Sequence, residues 1–572
     1  MSSSPETTVD PSPGKTVRLT WLMDLGVIGL IALVWVCGFF NLRPLMNPDE
    51  GRYAEIPREM ALSGDFITPR LNGMKYFEKP PLLYWLSALT FKVTGVNEFS
   101  ARLWNGLFAV LGILLVYWAG RSLYGRAAGV WASIVLGTCI LYYSFSQIVL
   151  LDMAVAVTIS GALFSFILAA PLAKGRKRFW LMMACYVFMA LATLTKGLIG
   201  FVLPGAVIFL WALLLKQWRQ LLPLYLIPGG LLFLAIAAPW HVMAARANGD
   251  FLWFYFVHEH FLRFTTRIHG RYEPWWFLMP FLIGGLFPWI FFAWSGVKGA
   301  LSGGWKARQE NSAAWFLVIW VVFITAFFSK SQSKLIPYIL PVFPAAAILL
   351  GRHLAKLWSE RSLGQFRRAA IGFAGVAVIL TLGFLFLPGI KGHAEFEVPL
   401  PLLKAAIVSG LAAGIIVTII GIFTKAARMT LSGIAGTGIA LVIGLNMIGS
   451  VFDSGSTKSL ALKIKPHLRQ DDSVYCLRLY AQDLPVYLNR LVTVVGYQGE
   501  MQFGIESEPK VAEGRFISQE AFAGEWNKPG TRYAILRKSE FEMWFPAGTP
   551  CQELDGSGKL LLVVNRHQLA MR

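Results

Sequence analysis

LMNPDEGRYAEIPREMALSGDFITPRLNGMKYFEKPPLLYW, residues 45–85, decides how this chain is read. It packs Asp49, Glu50, Arg52, Glu55, Arg58, Glu59, Asp65, Arg70, Lys75, Glu78 and Lys79 into one loop of a protein that is only 15% charged. An apolar run, 19–40, precedes it, and further apolar runs recur to residue 451. Runs of that length, with a mean hydropathy of +0.56, indicate a polytopic α-helical membrane protein. A dense polar loop between spans is where a site is expected.

Outward from the loop, thirteen spans are expected: 20–40, 103–120, 127–145, 150–171, 179–195, 198–215, 222–241, 275–297, 313–328, 335–351, 369–389, 402–424 and 430–451. The first 17 residues are rich in Ser, Thr and Pro, read as a disordered tail, and lack the layout of a cleaved signal peptide. Basic clusters lie near Arg121, Lys174 to Arg178, Lys216, Lys298, Arg352 to Arg368 and Lys425. All fall on the cytoplasmic side if the short piece 81–95 lies flat or re-enters. That leaves the N-terminus inside, and loops 41–80 and 242–274 outside with residues 452–572. The net charge of +20 then reflects cytoplasmic Lys and Arg and attraction to anionic lipids. Nothing resembles a nucleic-acid-binding module. Cys37, Cys139 and Cys185 sit in apolar runs, whereas Cys476 and Cys551 fall in the polar C-terminal part and would be able to pair were it extracytoplasmic.

Within the loop, Asn47-Pro48-Asp49-Glu50 reads as a helix start, with Asn47 as N-cap and Glu50 completing a capping box. On that reading Asp49 and Glu50 need only complement the helix dipole. Pro57 is expected to end or kink the helix, giving a broken amphipathic piece along the membrane surface. Ser63-Gly64-Asp65 and Asn72-Gly73 carry turn chemistry, and Glu78-Lys79-Pro80-Pro81 reads as extended.

The order of DEGRYAEIPREM, GDFITP and EKPPLLYW in this loop resembles the aminoarabinose transferase (ArnT) family, relatives of protein O-mannosyltransferases with the GT-C fold. Glu98 to Leu103, Leu151-Asp152, Thr195-Lys196-Gly197, Glu259-His260 with Arg263-Phe264, and Ser333-Lys334-Leu335 with PYILP fit the same pattern over about residues 20–350. The resemblance implies transfer of 4-amino-4-deoxy-L-arabinose from undecaprenyl phosphate to lipid A at the periplasmic face of a bacterial inner membrane, with polymyxin resistance as its consequence.

Under that reading Asp49 and Asp152 are the catalytic candidates. An acid such as Asp152 at the end of a span is costly unless paired or functional. Arg52, Tyr53, Lys79, Lys196, Arg263, Lys330 and Lys334 are candidate phosphate contacts; for the lysines, snorkelling to the interface is the alternative. The segment 251–273 is aromatic and His-rich. His258, Glu259 and His260 are too close in a helix to share one face, which leaves two readings: one imidazole joining Glu78 across space in a metal site, or an interfacial helix with His at the water boundary. The resemblance implies a divalent metal, zinc by donor chemistry, at Glu78 and His260, with His258 as alternate. Arg263, Arg267 and Arg271 form a basic outer group. Residues 353–451 offer no site and read as scaffold.

Residues 452–572 change character. Strands are expected at 474–479, 492–495, 533–536 and 560–564, with helices at 481–489 and 518–526, making a small α/β domain. Two other functions compete. A GT-C sibling would move a hexose from a polyprenyl phosphate to a glycan, lipid or protein. A lipid flippase or transporter would scatter ionisable residues through mid-span positions, whereas here they collect on one face.

Overall fold

The computed structural model describes residues 13–262, 272–361, 363–386, 400–451 and 455–565. Among them ten helices are long and apolar enough to cross a membrane, from Leu19–Cys37 to Ala427–Met447. Two further spans are broken: Arg126–Thr138 with Ile140–Ser146 bends by 65°, and Leu278–Gly285 with Trp289–Ala300 by 93°. The second break contains Pro288, which cannot donate to the helix ladder. The count is therefore ten to twelve, and the remaining expected stretch forms the 17-residue apolar helix Ile199–Leu215. The first helix starts at Pro13, so the end of the expected disordered tail is helical. The short piece at 81–95 is the helix Leu82–Thr94, packed against Asp49–Ser63 and Glu98–Tyr124.

The polar loop does not form a broken surface helix. Asp49–Ser63 is one helix that continues past Pro57, and most of it is buried, including Glu50, Arg52, Glu55, Arg58 and Glu59. Asn47 is not its N-cap: Pro48 occupies that position with no side-chain cap. The Asn47 amide is drawn away to Asp483 (2.5 Å) and the Gly455 carbonyl (2.8 Å). Beyond it, β1 (Arg70–Leu71) and β2 (Met74–Lys75) form a tight hairpin. Asn72 and Gly73 both take positive φ there, 50° and 81°, as a two-residue hairpin turn requires.

The C-terminal domain explains the burial. Its strands are β3 (Ser473–Leu477), β4 (Thr493–Val495), β5 (Phe516–Ile517), β6 (Arg532–Arg537), β7 (Gln552–Ser557) and β8 (Leu560–Val564). Their order is β5-β4-β3-β6-β8-β7, parallel through β6 and antiparallel at β8 and β7. Sequence missed β5, only two residues long, and β7, a polar edge strand. The expected helices appear as Leu484–Leu488 and Gln519–Trp526. Cys476 and Cys551 are both free thiols.

One core is shared by this domain and the loop: Ile56, Met60, Leu71, Tyr76 and Tyr84 pack with Leu460, Val474, Cys476, Leu484 and Val492. Polar ties run around it. Asn72 exchanges hydrogen bonds with the Val492 backbone at 2.9 and 3.1 Å. Arg70 forks onto Glu508 at 2.9 and 3.2 Å. A Cβ on Gly51 would run into the backbone of Gln482 and Asp483, so only glycine allows so close an approach. Truncating Ile56 to Ala opens a cavity in this shared core and is expected to cost about 2–5 kcal/mol. It should lower the melting temperature and speed proteolysis of both the loop and the C-terminal domain; an unchanged melting profile would contradict a common core.

Candidate active site

Glu50 is the buried pivot of the loop that joins the first span to the rest. Its side chain is 0% exposed and that of Arg102 is 1% exposed. Arg102 donates to both Glu50 oxygens at 2.9 Å, and Arg43 adds a bond of 2.7 Å. The backbone N–H groups of Met46 and Val149 complete the shell at 3.0 Å each. Arg102 also donates to the carbonyls of Phe40 (2.5 Å), Arg43 (2.9 Å) and Pro44 (2.8 Å). Burial alone would raise the Glu50 pKa, but Arg102 and Arg43 outweigh it and hold the carboxyl at about 2. This fixes the end of the first span, the start of the Asp49 helix and the turn leading to Asp152 in one place. The capping-box reading of Glu50 is thus replaced by a long-range ion network.

Next to the pivot, Asp49 is half-exposed while Arg52 is buried. Arg52 binds the carboxylates of Asp49 and Glu500, and donates to the Tyr76 hydroxyl at 3.1 Å. Arg52 is therefore engaged by protein carboxylates and orients Asp49, a different placement from the expected direct phosphate contact. Tyr53 stacks on Tyr84, with ring centroids 6.2 Å apart. Burial pushes the Tyr53 phenol well above its usual range; Arg52 opposes this, and Asp49, Asp152 and Glu78 add to it. The phenol thus stands within electrostatic reach of three candidate carboxylates.

An open cleft of about 100 Å³ is lined by Glu78, Lys79, Lys196, Glu259, Ser331, Ser333 and Tyr338 over an apolar wall of Ile199, Phe327 and Phe328. Lys196, the last residue of Arg176–Lys196, pairs with Asp152 in the first turn of Leu151–Ala169. Its ammonium also sits 4.6 Å from the Tyr338 ring centre. Lys79 Nζ lies 3.8 Å from Glu78 and 3.5 Å from Glu259. Glu259 is carried by a π-helical run, Trp253–Leu262, and takes a contact of 3.2 Å from His258 Nδ1. Such wide helical turns are frequent at functional sites.

The structure does not gather every expected residue. Lys334 is buried and donates to the carbonyls of Ser331 (2.6 Å) and Glu273 (2.7 Å), so it ties down a loop and is not open to a phosphate. Lys330 instead edges a separate apolar groove of about 550 Å³ with Trp275, Met279, Leu282 and Val321. The His260 side chain and Arg263, Arg267 and Arg271 lie outside the described residues. Among the described residues no group of three or more His, Cys, Asp or Glu could hold a metal ion. Sequence reading also missed partners. Glu50 was read only as a local capping residue, Arg102 stood in a motif without a role, and Glu259 was passed over between its two histidines. Glu500, 448 residues from Arg52, carried no signal.

Comparison with known proteins places these features. Residues 24–255 match the family model of dolichyl-phosphate-mannose-protein mannosyltransferase, and residues 460–565 match the aminoarabinose transferase C-terminal domain. The undecaprenyl phosphate-alpha-4-amino-4-deoxy-L-arabinose arabinosyl transferase of Erwinia tasmaniensis is 31% identical over 527 residues, 89% of this chain and 92% of that protein. The same-named protein of Pectobacterium atrosepticum is 33% identical over 520 residues, 87% and 88%. Among solved structures, ArnT from Cupriavidus metallidurans bound to undecaprenyl phosphate superposes with a TM-score of 0.79 at 28% identity, covering 97% of this chain and 99% of that one. The oligosaccharyltransferase AglB of Archaeoglobus fulgidus shares only the fold, with a TM-score of 0.50 at 13% identity over 91% of this chain and 70% of that one.

The Glu50 network makes a pH-dependent prediction. Its folded pKa lies below the ordinary 4.5, so its contribution is full above about pH 4.5 and is lost as pH falls towards 2. Glu50→Gln leaves two arginines buried without a counter-charge and is expected to cost about 3–5 kcal/mol at neutral pH. Scanning fluorimetry from pH 7 to pH 2 should show the variant melting low throughout and the native chain converging on it in acid; equal melting at pH 7 would refute the role of Glu50.

Proposed function

The chain belongs to the aminoarabinose transferase family and is a multi-pass membrane glycosyltransferase; from that premise we propose that it moves 4-amino-4-deoxy-L-arabinose from undecaprenyl phosphate to a phosphate of lipid A. The observation that carries this reading is the cleft holding Lys79 and Lys196 against an apolar wall, with Asp152 paired to Lys196. Cations facing an apolar wall suit a phosphate on a lipid carrier. The placement of basic clusters supports an inner-membrane protein with the cleft and C-terminal domain on the periplasmic side. The match of residues 460–565 to the aminoarabinose transferase C-terminal domain favours this reading over a GT-C sibling with another sugar.

In this mechanism the sugar–phosphate bond breaks and negative charge develops on the departing lipid phosphate. Lys79 and Lys196 are fixed cations for that charge, in a cleft with one apolar wall. The acceptor phosphate is already ionised at neutral pH and attacks the anomeric carbon, so no strong general base is needed. Asp49 faces the positive charge that builds on the sugar or binds its amino group, and Arg52 with Glu500 holds it in line. Asp152 orients Lys196. The groove at Lys330 offers an apolar bed for the polyprenyl tail. Arg263 remains a proposed phosphate contact.

A divalent metal, zinc by donor chemistry, belongs to the same proposal. Glu78, beside Lys79 at the cleft, and the His258–Glu259 contact bring oxygen and imidazole donors to this side of the site, which suits such an ion. Glu78 and His260, with His258 as alternate, would hold it. Bound there, it would add positive charge for the leaving phosphate.

Mass spectrometry of lipid A from a transferase-null bacterium tests the proposal. Expression of the native chain is expected to add aminoarabinose, and equal expression of Asp49→Ala to reduce it at least about a hundredfold, the scale of losing a group that acts at the reacting centre. Modification surviving in the variant would remove Asp49 from the mechanism. No modification by the native chain, in a host that makes the donor, would overturn the substrate assignment.

A further inference from the structure

The parallel part of the C-terminal sheet reverses direction at its centre. From β3 the chain steps to β4 and β5 on one flank, then crosses back to β6 on the other. In open α/β sheets such a switch point leaves a crevice beyond the carboxyl ends of the two central strands, the usual place for a ligand. Here those ends carry Arg478, directly after β3, and Arg537, the last residue of β6. The strands pair in parallel with Cys476 beside Ile535, which brings the two arginines to the same level of the sheet edge.

Both side chains are exposed. Glu540 takes one donor of Arg537 at 2.9 Å. The Arg478 guanidinium has a single hydrogen-bond partner among the described residues, the Met543 sulfur at 3.5 Å. Arg478 also holds a positive φ of 51°, a costly conformation for a side chain of its size. At the end of β4, the Tyr497 ring folds over Gly499, where a Cβ would meet its hydroxyl. Burial pushes the Tyr497 phenol above its usual range; Glu500 adds to this, and Arg52 and Arg537 oppose it. Glu500, three residues beyond Tyr497, binds Arg52, which in turn binds Asp49, so this part of the chain leads to the candidate site.

We propose that Arg478 and Arg537, with Tyr497, form a docking site for a second phosphate on the sugar head of the acceptor, separate from the phosphate that receives the transferred sugar. Two guanidinium groups at one strand level suit a phosphate, which accepts several charge-assisted hydrogen bonds. The site extends the proposed function: it rests on a phosphorylated glycolipid acceptor, and it assigns the C-terminal domain a part in selecting that acceptor. An acceptor held at both places would be aligned before reaction, so a head lacking the second phosphate should bind less tightly.

The full-length chain in nanodiscs provides the test. Binding is measured to phosphatidylcholine vesicles doped with bisphosphorylated lipid A, or with the same lipid lacking one phosphate. The native chain is expected to prefer the bisphosphorylated lipid by about tenfold or more, as loss of one or two charge-assisted contacts would give. Arg478→Gln/Arg537→Gln should abolish that preference, and Arg478→Lys/Arg537→Lys should restore part of it. The melting temperature and undecaprenyl phosphate binding of each variant show that it is folded. A folded glutamine variant that keeps the preference, or a native chain that has none, would overturn the docking site. A native chain that shows the preference yet transfers no aminoarabinose would retain the site and defeat the catalytic proposal instead.

Discussion

A single buried carboxylate determines where the polar loop of this protein can sit. Glu50 accepts from Arg43, Arg102 and two backbone amides, and Arg102 in turn closes the carbonyls at the end of the first span. Buried charges are tolerated only when every lone pair and proton is matched, and a network left half complete is strongly destabilising. The arrangement thus admits essentially one position for the Asp49 helix relative to the span that follows it. Asp49 is adjacent to Glu50 in sequence and Asp152 lies three residues beyond Val149. Both candidate carboxylates inherit their positions from the same pivot.

The second constraint comes from the C-terminal domain. It covers the Asp49 helix with an apolar core and sends Glu500 to Arg52, so residues more than 400 positions apart share one hydrogen-bond chain. Glu55 and Arg58 form a further buried pair under this cover at 2.6 Å, and Arg58 continues to Asn489 at 3.1 Å. The polar loop is consequently a layer between the spans and the domain rather than a surface helix. Its charges are numerous because it has polar partners on both sides.

Much of the architecture was legible because its cause is local. A span needs about twenty apolar residues, and 151–169 or 404–423 can be little else. Asn72-Gly73 announced its turn, though not the short strands beside it, because few residue pairs tolerate two positive φ angles. The errors fall where a distant partner overrides a local preference. Asn47 has the chemistry of an N-cap, but Asp483 takes its amide. Glu50 stands where a capping box would put it, but Arg102 claims it. Pro57 removes one helical hydrogen bond, and the packing of Ile56 and Met60 on the C-terminal domain keeps the helix going. In the site, Asp152, Lys196 and Lys334 drew attention as ionisable residues at span ends, and Asp49 and Lys79 through the polar loop and its family resemblance; the structure ties Lys334 to the carbonyls of Ser331 and Glu273.

In the proposed mechanism Asp49 acts through the geometry that Glu500 and Arg52 impose. A double-mutant cycle in the purified enzyme, measuring sugar transfer with Glu500→Gln, Asp49→Asn and both changes together, addresses that directly. Glu500→Gln is predicted to slow transfer about tenfold or more in the native background, since misplacing a reacting group is costly, and to have little further effect once Asp49 is Asn. If Glu500→Gln slowed transfer by the same factor in both backgrounds, the two residues would act independently, and the positioning of Asp49 by the C-terminal domain would be wrong.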